Sequence, residues 1–257
     1  MTFFSLLYLL LIFIGLLVTQ EIFHRYPRFT LAFFGVASII LFPCWILLIG
    51  VADWFLWAKV FSVVTGIILL SLLRTTKLGH TKLCQWSIYF FLVFNILEAV
   101  VRDIETANLA NYLNATAGIL LIVTLAKINT IHIDTKGKYK DLYWSDMTLA
   151  WIIGYTLWNW VFIYLNLGEG AIPQLAVLGS ALIIGFLNKE RWLQARVFTL
   201  GTYFIVFHTY PHLSPFPPLY GYDNQAGLLL SLVTVGFMVV YTGFFIRRST
   251  VTKKSYV

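Results

Sequence analysis

Long apolar segments separated by short polar connections follow one another along almost the whole chain. Each segment has about 20 residues, the length of an α-helix that crosses a hydrocarbon core roughly 30 Å thick. Transmembrane β-strands would instead show strict alternation of apolar and polar residues. The pattern therefore predicts an all-α protein, a polytopic bundle of membrane-spanning helices that forms a single domain over residues 1–257.

We expect about nine spans. In chain order they are residues 3–22, 30–51, 55–73, 83–103, 109–126, 145–166, 170–187, 193–210 and 224–246. The segment from Met1 to Gln20 has neither a basic region before its apolar stretch nor a small-residue cleavage site, so it is expected to be the first helix and not a signal peptide. No connection is long enough to form a further domain.

The composition agrees with a membrane environment. Apolar residues make up 60% of the chain, charged residues only 11%, and the mean hydropathy is +0.82. Soluble domains have about 25% charged residues. Lipid is therefore the expected solvent of this fold, and the lipid bilayer its first partner.

The basic residues predict the orientation. Of 18 Lys and Arg residues, all except Lys59 and Arg102 fall at one side of the proposed membrane. The other sixteen are Arg25, Arg28, Arg74, Lys77, Lys82, Lys127, Lys136, Lys138, Lys140, Lys189, Arg191, Arg196, Arg247, Arg248, Lys253 and Lys254. Because cytoplasmic loops carry the excess of Lys and Arg, the N-terminus is predicted outside and the C-terminus in the cytoplasm. The net charge of +7 then reflects topology, and no nucleic-acid partner is expected.

The fourth span carries a polar stripe. Asn95, Glu98, Arg102 and Glu105 are spaced by three, four and three residues, which places them on one helical face. An ionised side chain inside a span costs about 2.5 to 3.5 kcal/mol on insertion scales, so each needs a partner or a hydrated cavity. Lys59 lies at a similar depth on the preceding span, and we predict a contact between Lys59 and Glu98.

Other polar groups are expected at the same depth, in the outer third of the bundle. Asp53 and Asp103 are the predicted counter-ions of Arg102. The predicted ligand or ion site comprises Lys59, Glu98, Arg102, Asn159, Asp53, Asp103, Asn111, Asn114 and His208. The alternative is a structural network of ion pairs and interhelical hydrogen bonds that only fixes the packing.

Neither a metal nor a cofactor is expected. His208 and His212 are an unconvincing metal pair because Pro211 interrupts the helical spacing. Cys44 and Cys84 define neither a disulfide framework nor a metal site.

A second polar group at the inner ends of the sixth and eighth spans has the composition expected at headgroups, with Asp146 and Arg196 as a less favoured gate pair. Its residues are Asp141, Trp144, Asp146, Trp192, Gln194 and Arg196.

Several strings with unusual polar and Trp residues carry a resemblance to a known family. They are WAKVFSVVTG at 57–66, NILEAVVRD at 95–103, WSD at 144–146, LWN at 157–159 and WLQAR at 192–196. In these strings the chain resembles a bacterial multi-pass membrane protein family that is known only as a domain of unknown function. The resemblance implies a location in the bacterial inner (plasma) membrane and no particular activity.

These observations favour a small transporter or channel that takes a small polar or ionic ligand. Glu98 would be a proton or cation site, Lys59 its compensating partner, and Arg102 an anchor for an anionic group. The first alternative is an integral-membrane enzyme that acts on a lipid or lipid-linked substrate, with Glu98 and Asp103 or Glu105 as paired carboxylates and the aromatic segment 210–224 as a lid. The second is a receptor or accessory subunit. The sequence leaves oligomerisation open.

Overall fold

The computed structural model describes residues 3–49, 54–134, 136–213, 216 and 224–254. Nine α-helices lie within these ranges: α1 Phe3–Arg25, α2 Pro27–Ile49, α3 Trp54–Thr75, α4 Lys82–Thr106, α5 Leu109–Val123, α6 Leu149–Asn166, α7 Ala171–Leu187, α8 Trp192–Thr209 and α9 Asn224–Lys254. The predicted all-α class is confirmed. Five of the helices are long and apolar enough to cross a membrane: α1, α2, α3, α4 and α9. Two others, α5 and α7, are apolar but shorter.

One element was missed by the sequence analysis. Strands β1 (Ile131–Ile133) and β2 (Leu142–Trp144) form an antiparallel hairpin in the connection before α6. Both strands alternate, with the first and third residues buried and the second more exposed, which is the two-residue period of a half-buried strand. Helix α6 begins at Leu149 and not at residue 145, because β2 extends to Trp144 and Thr148 accepts a hydrogen bond from the Trp151 N–H as the N-cap.

The two ends of the bundle can be told apart by the hairpin. Residues at the C-terminal ends of α1 and α3 contact the hairpin connection, as does the segment that precedes α8. We call this the hairpin end. The opposite, far end is held by hydrogen bonds from Trp45 Nε1 to Thr209 Oγ1 and from Thr106 Oγ1 to Asn166 Oδ1. The basic connections that follow α1, α3 and α7 therefore share one end, as their charge pattern predicted.

Buried tryptophans hold α6 against α5. The indole N–H groups of Trp151 and Trp158 donate to the carbonyls of Leu121 and Asn114 on α5, each at 3.0 Å. Gly118, between these carbonyls on α5, allows the close approach: a Cβ there would lie 2.6 Å from Val100 Cγ2 on α4 and 2.9 Å from Trp158 Nε1. Helices α4, α5 and α6 consequently form a tight group, against which α9 also packs.

Candidate functional site

The predicted contact between Lys59 and Glu98 is present. Lys59 Nζ of α3 lies 2.7 Å from Glu98 Oε2 of α4 and also donates to the Asn95 carbonyl at 3.3 Å. Ser62 Oγ, one turn along α3, donates to the same Glu98 oxygen. Both charged side chains are about one-fifth exposed. The pair therefore neutralises two charges within the bundle while part of each side chain stays accessible.

Among the described residues, Arg102 pairs with Glu105 and not with the predicted Asp103. Its Nη1 lies 3.7 Å from Glu105 Oε2 on the same helix, and both side chains are more than one-third exposed. The prediction that Asp103 neutralises Arg102 is wrong. Consecutive residues of a helix point in directions about 100° apart, so Asp103 faces another neighbour. The other predicted counter-ion, Asp53, lies outside the described residues.

Asp103 is surrounded by three amides, and we call this group the Asp103 cluster. Its Oδ1 accepts from Asn111 Nδ2 and Asn166 Nδ2, each at 2.6 Å, and its Oδ2 accepts from Asn114 Nδ2 at 2.8 Å. Asp103, Asn111 and Asn114 are fully buried. The cluster joins α4, α5 and α6, and it is separate from the Lys59–Glu98 pair.

A cavity of about 760 Å³ lies beside the Lys59–Glu98 pair. Helices α3, α4, α6, α7 and α8 supply most of its wall. Most of the lining is apolar and rich in aromatic rings, and a smaller set of polar side chains faces it. The polar lining residues include Lys59, Asn95, Asn159, Asn166, Gln174, Arg196, Tyr203 and His208. This volume and composition match those of small-molecule sites, which have about 300 to 1,000 Å³ and few polar groups.

One face of α8 forms a long side of this main cavity. Arg196, Leu200, Phe204 and His208 all line it, at the four-residue spacing of a helical face, and Tyr203 and Phe207 lie beside them. At 1.5 Å per residue, Arg196 and His208 are about 18 Å apart along the axis. The cavity thus extends from the far end to within about 6 Å of the start of α8, and it is deeper than the predicted outer third.

Arg196 marks the deep part of the main cavity. Only 4% of the residue is exposed. Its Nη2 lies 3.4 Å from Asn159 Oδ1, which also accepts from Gln174 Nε2 at 3.2 Å. Its Nε and Nη1 have no hydrogen-bond partner among the described residues. The suggested pairing with Asp146 does not form in the described part of the chain, because the guanidinium faces Asn159.

A second cavity of about 50 Å³ adjoins the first. Val63, Asn95, Arg196 and Leu200 line both cavities. The small cavity also reaches Leu142 of the hairpin. Together the two cavities follow the bundle from the far end towards the hairpin, with Arg196 at their junction.

The hairpin end is closed by buried polar contacts around Asp141, which we call the Asp141 cluster. Asp141 Oδ1 lies 2.7 Å from both His24 Nδ1 and Gln194 Nε2, and 3.6 Å from Arg74 Nη2. Arg191 Nε is 3.7 Å from Oδ2. Burial opposes ionisation of the carboxyl, but the hydrogen bonds from His24 and Gln194 and the charges of His24 and Arg191 outweigh burial and lower the pKa of Asp141.

Arg74 is the structural centre of that end. Its guanidinium donates to four backbone carbonyls, two at the end of α1 and two in the hairpin connection. The acceptors are the carbonyls of Phe23, His24, Tyr139 and Lys140, at 2.6 to 3.1 Å. All of these contacts join α3 to α1 and to the hairpin connection, and each of the three guanidinium nitrogens of Arg74 takes part in them.

The structure brings only part of the predicted site together. Lys59, Asn159 and His208 line the main cavity, and Glu98 joins them through Lys59. Arg102, Asp103, Asn111 and Asn114 are not among its described lining residues. Sequence reasoning missed Gln174, and it assigned Arg196 to the headgroup region. Two signals were available: Gln174 is an amide inside an apolar helix, and Arg196 begins the regular face of α8.

Among the described residues, no group of three or more His, Cys, Asp or Glu side chains has an arrangement that could hold a metal ion. The polar lining of the main cavity consists instead of amides, a hydroxyl, cations and an imidazole. The chemistry that these groups offer is hydrogen bonding and charge.

Neither the curated proteins nor the solved structures include a match to this chain. A family model does match, over residues 1–257, and its description is "Family of unknown function (DUF5692)". Because the match covers the whole chain, the protein belongs to this family of unknown function.

Proposed function

We propose that the chain is a small membrane transporter or channel whose polar or ionic ligand occupies the main cavity. In this proposal nine helices cross the bacterial plasma membrane, with the N-terminus outside and the hairpin end in the cytoplasm. The observation that carries the proposal is the cavity of about 760 Å³ inside a bundle of apolar helices, with Lys59 and Arg196 in its wall. Ionisable groups that face an internal cavity commonly mark ion or substrate pathways.

The relation of the two cavities supports passage along the bundle. The main cavity extends along α8 to Arg196, where the small cavity continues to Leu142. Beyond it, the Asp141 cluster and Arg74 close the hairpin end. Movement of a ligand through the protein requires these contacts to separate, or α8 to shift against the hairpin.

Glu98 is the proposed proton site. With the carboxylate ionised, the Lys59 ammonium is held at 2.7 Å. Protonation of Glu98 removes that attraction and leaves the ammonium available to the cavity that Lys59 lines. Proton binding and ligand binding would thereby be coupled through one side chain.

The enzyme alternative has less support. It requires paired carboxylates, and the structure gives each candidate a separate partner: Lys59 for Glu98, amides for Asp103 and Arg102 for Glu105. Glu98 and Glu105 are also separated by about 10 Å along α4. This separation favours transport over acid–base catalysis.

The test is a flux measurement with purified protein reconstituted into liposomes. Solid-supported membrane recordings would use a panel of potassium ions, inorganic phosphate, amino acids and small carboxylates, with and without an acidic outer solution. We expect a protein-dependent current that grows with outside acidity for at least one compound. Glu98→Gln should abolish this pH dependence, because glutamine keeps the shape but takes no proton.

Glu21→Gln is the matched control. Glu21 pairs with Arg25 near the hairpin end of α1, and its side chain is 39% exposed. This variant should retain the pH-dependent current. Absence of protein-dependent current with every compound, or an unchanged pH dependence in Glu98→Gln, would contradict the proposal.

A further inference from the structure

Arg196 is a buried cation with unused hydrogen-bonding capacity. Its only described side-chain partner is Asn159 Oδ1, at the long distance of 3.4 Å. Nε and Nη1 are both buried and unpaired among the described residues. A buried guanidinium is unfavourable unless its charge and its donors are compensated. Arg74 shows the contrast within this protein, since each of its three guanidinium nitrogens donates to a backbone carbonyl.

The charges around the main cavity make this position attractive to an anion. The described lining contains Lys59, Arg196 and His208 as ionisable groups other than tyrosine, and it contains no Asp or Glu. Glu98 compensates Lys59 from outside the lining. The charge of Arg196 has no ion-pair partner among the described residues, and the five donors of a guanidinium match the two oxygens of a carboxylate or phosphate.

The rest of the lining is suited to an apolar group. Phe55, Phe162, Phe204 and Phe207 all face the main cavity, and Tyr203 adds a fifth ring. His208 stacks on Phe204 with a centroid distance of 3.9 Å, so that side of the wall is a flat aromatic surface. Burial of an apolar body against these rings gives affinity, whereas the few polar groups give orientation.

We propose that Arg196, with Asn159 and Lys59, binds the carboxylate or phosphate group of a small organic anion whose apolar body lies against the aromatic rings of the main cavity. Gln174 holds the Asn159 amide in place from α7. This inference names the ligand class of the proposed function, and it rests on that function for the ligand's passage across the membrane. It moves the anion anchor from Arg102, where the sequence placed it, to Arg196.

The experiment measures binding to the full-length protein in phosphatidylcholine nanodiscs. The probes are 3-phenylpropionate, phenyl phosphate and the neutral analogue 3-phenylpropionamide, followed by saturation-transfer NMR and by the shift in melting temperature. We expect both anions to bind and the amide to bind about tenfold to a hundredfold more weakly, the range for loss of a charge-assisted interaction. Equal binding of the amide and the carboxylate would overturn the assignment.

Three variants locate the site. Arg196→Gln should weaken 3-phenylpropionate binding about tenfold to a hundredfold. Asn159→Asp is designed to fold even if Arg196→Gln does not, because it places a carboxylate beside the guanidinium; it should raise the melting temperature without ligand and abolish anion binding. Arg25→Gln, a surface arginine near the hairpin end, should bind like the wild type. Undiminished anion binding in folded Asn159→Asp would contradict the inference.

Two further measurements are needed. One identifies the source of the anion, and the other distinguishes the anion site from the proposed transport function. Competition by phosphatidylglycerol in the nanodiscs would identify a lipid headgroup as the bound anion, and undisturbed probe binding would identify a soluble one. Binding without flux in liposomes leaves the anion site in place and removes the transporter. Flux of cations or neutral compounds with no anion binding would support the transporter and contradict the anion site.

Discussion

At the scale of single residues, the identity of a partner separates charges that hold the fold from charges available to a ligand. Asp103 has a donor at each of its oxygens and is fully buried. Arg196 is also buried, with 4% of the residue exposed, but two of its nitrogens have no hydrogen-bond partner among the described residues. Burial of a charge in the membrane costs free energy for Asp103 and for Arg196 alike. Only for Arg196 is this cost left for a ligand to offset.

The Asp103 cluster is therefore expected to act in stability. Asp103→Ala removes the acceptor of three amides on α5 and α6 and should lower the free energy of unfolding by roughly 2 to 4 kcal/mol. Thermal melting in detergent would measure the change, with Glu105→Ala as the control. Glu105 is on the same helix with a 45% exposed side chain, and its loss should have an effect below about 1 kcal/mol. Similar melting temperatures for the two variants would contradict this role.

At the scale of elements, the hairpin is held against the helices by buried apolar side chains and by polar contacts around Arg74 and Asp141. Each strand has three residues, too few for independent stability. Arg74 and the Asp141 cluster connect the hairpin region to α1, α3 and α8. The polar part of this attachment consists of few contacts, which suits the opening of the hairpin end that the proposed transport function requires.

We predict that Asp141→Asn loosens this end. The change leaves the charges of Arg74 and Arg191 without their shared carboxylate and should cost about 3 kcal/mol. Hydrogen exchange across residues 131–144 would rise, while the central part of α6 would stay protected. Lys136→Gln, an exposed charge in the same connection, is the control. Unchanged exchange in Asp141→Asn would mean that the hairpin is held by its apolar residues alone.

The same cluster predicts a pH dependence. The pKa of Asp141 is lower in the folded protein than its ordinary value. Its contribution to stability is therefore present above about pH 4, the pKa in an unfolded chain, and is lost as the pH falls through the folded value. Protection of the hairpin in wild type should decline over that acidic range, and it should decline less in Asp141→Asn.

At the scale of the whole molecule, the shared end of the basic connections gives a testable orientation. The connections after α1, α3 and α7 meet the hairpin, and the positive-inside rule predicts that this end faces the cytoplasm. Cys44 and Cys84 can both be replaced by alanine to give a background for labelling, Cys44 being exposed and Cys84 buried.

In that background, Lys136→Cys and His212→Cys should respond differently to a membrane-impermeant maleimide. Both positions are exposed, and they lie at the hairpin end and the far end. In intact bacterial cells we expect labelling at 212 alone, and in inverted vesicles labelling at 136 alone. The opposite pattern would reverse the orientation and place the main cavity on the cytoplasmic side.

Much of the architecture follows directly from the sequence. Apolar length predicted the helices, because backbone groups in lipid have to be satisfied within each segment. The Lys59–Glu98 contact was also predictable, since two opposite charges at similar depth on consecutive helices have few other partners. The hairpin was missed because three-residue strands give too short an alternation to stand out between helices of 15 and 18 residues.

Sequence alone therefore determined the helical class, the family, the shared end of the basic connections and one ion pair. Tertiary structure decided which polar residues face the same space. The depth of a residue along its helix follows from its position in the sequence. The rotation of the helix about its axis is set by packing against its neighbours. This rotation directs Asp103 towards three amides, leaves Arg102 at the surface, and places Arg196 in the main cavity with Lys59 and Asn159.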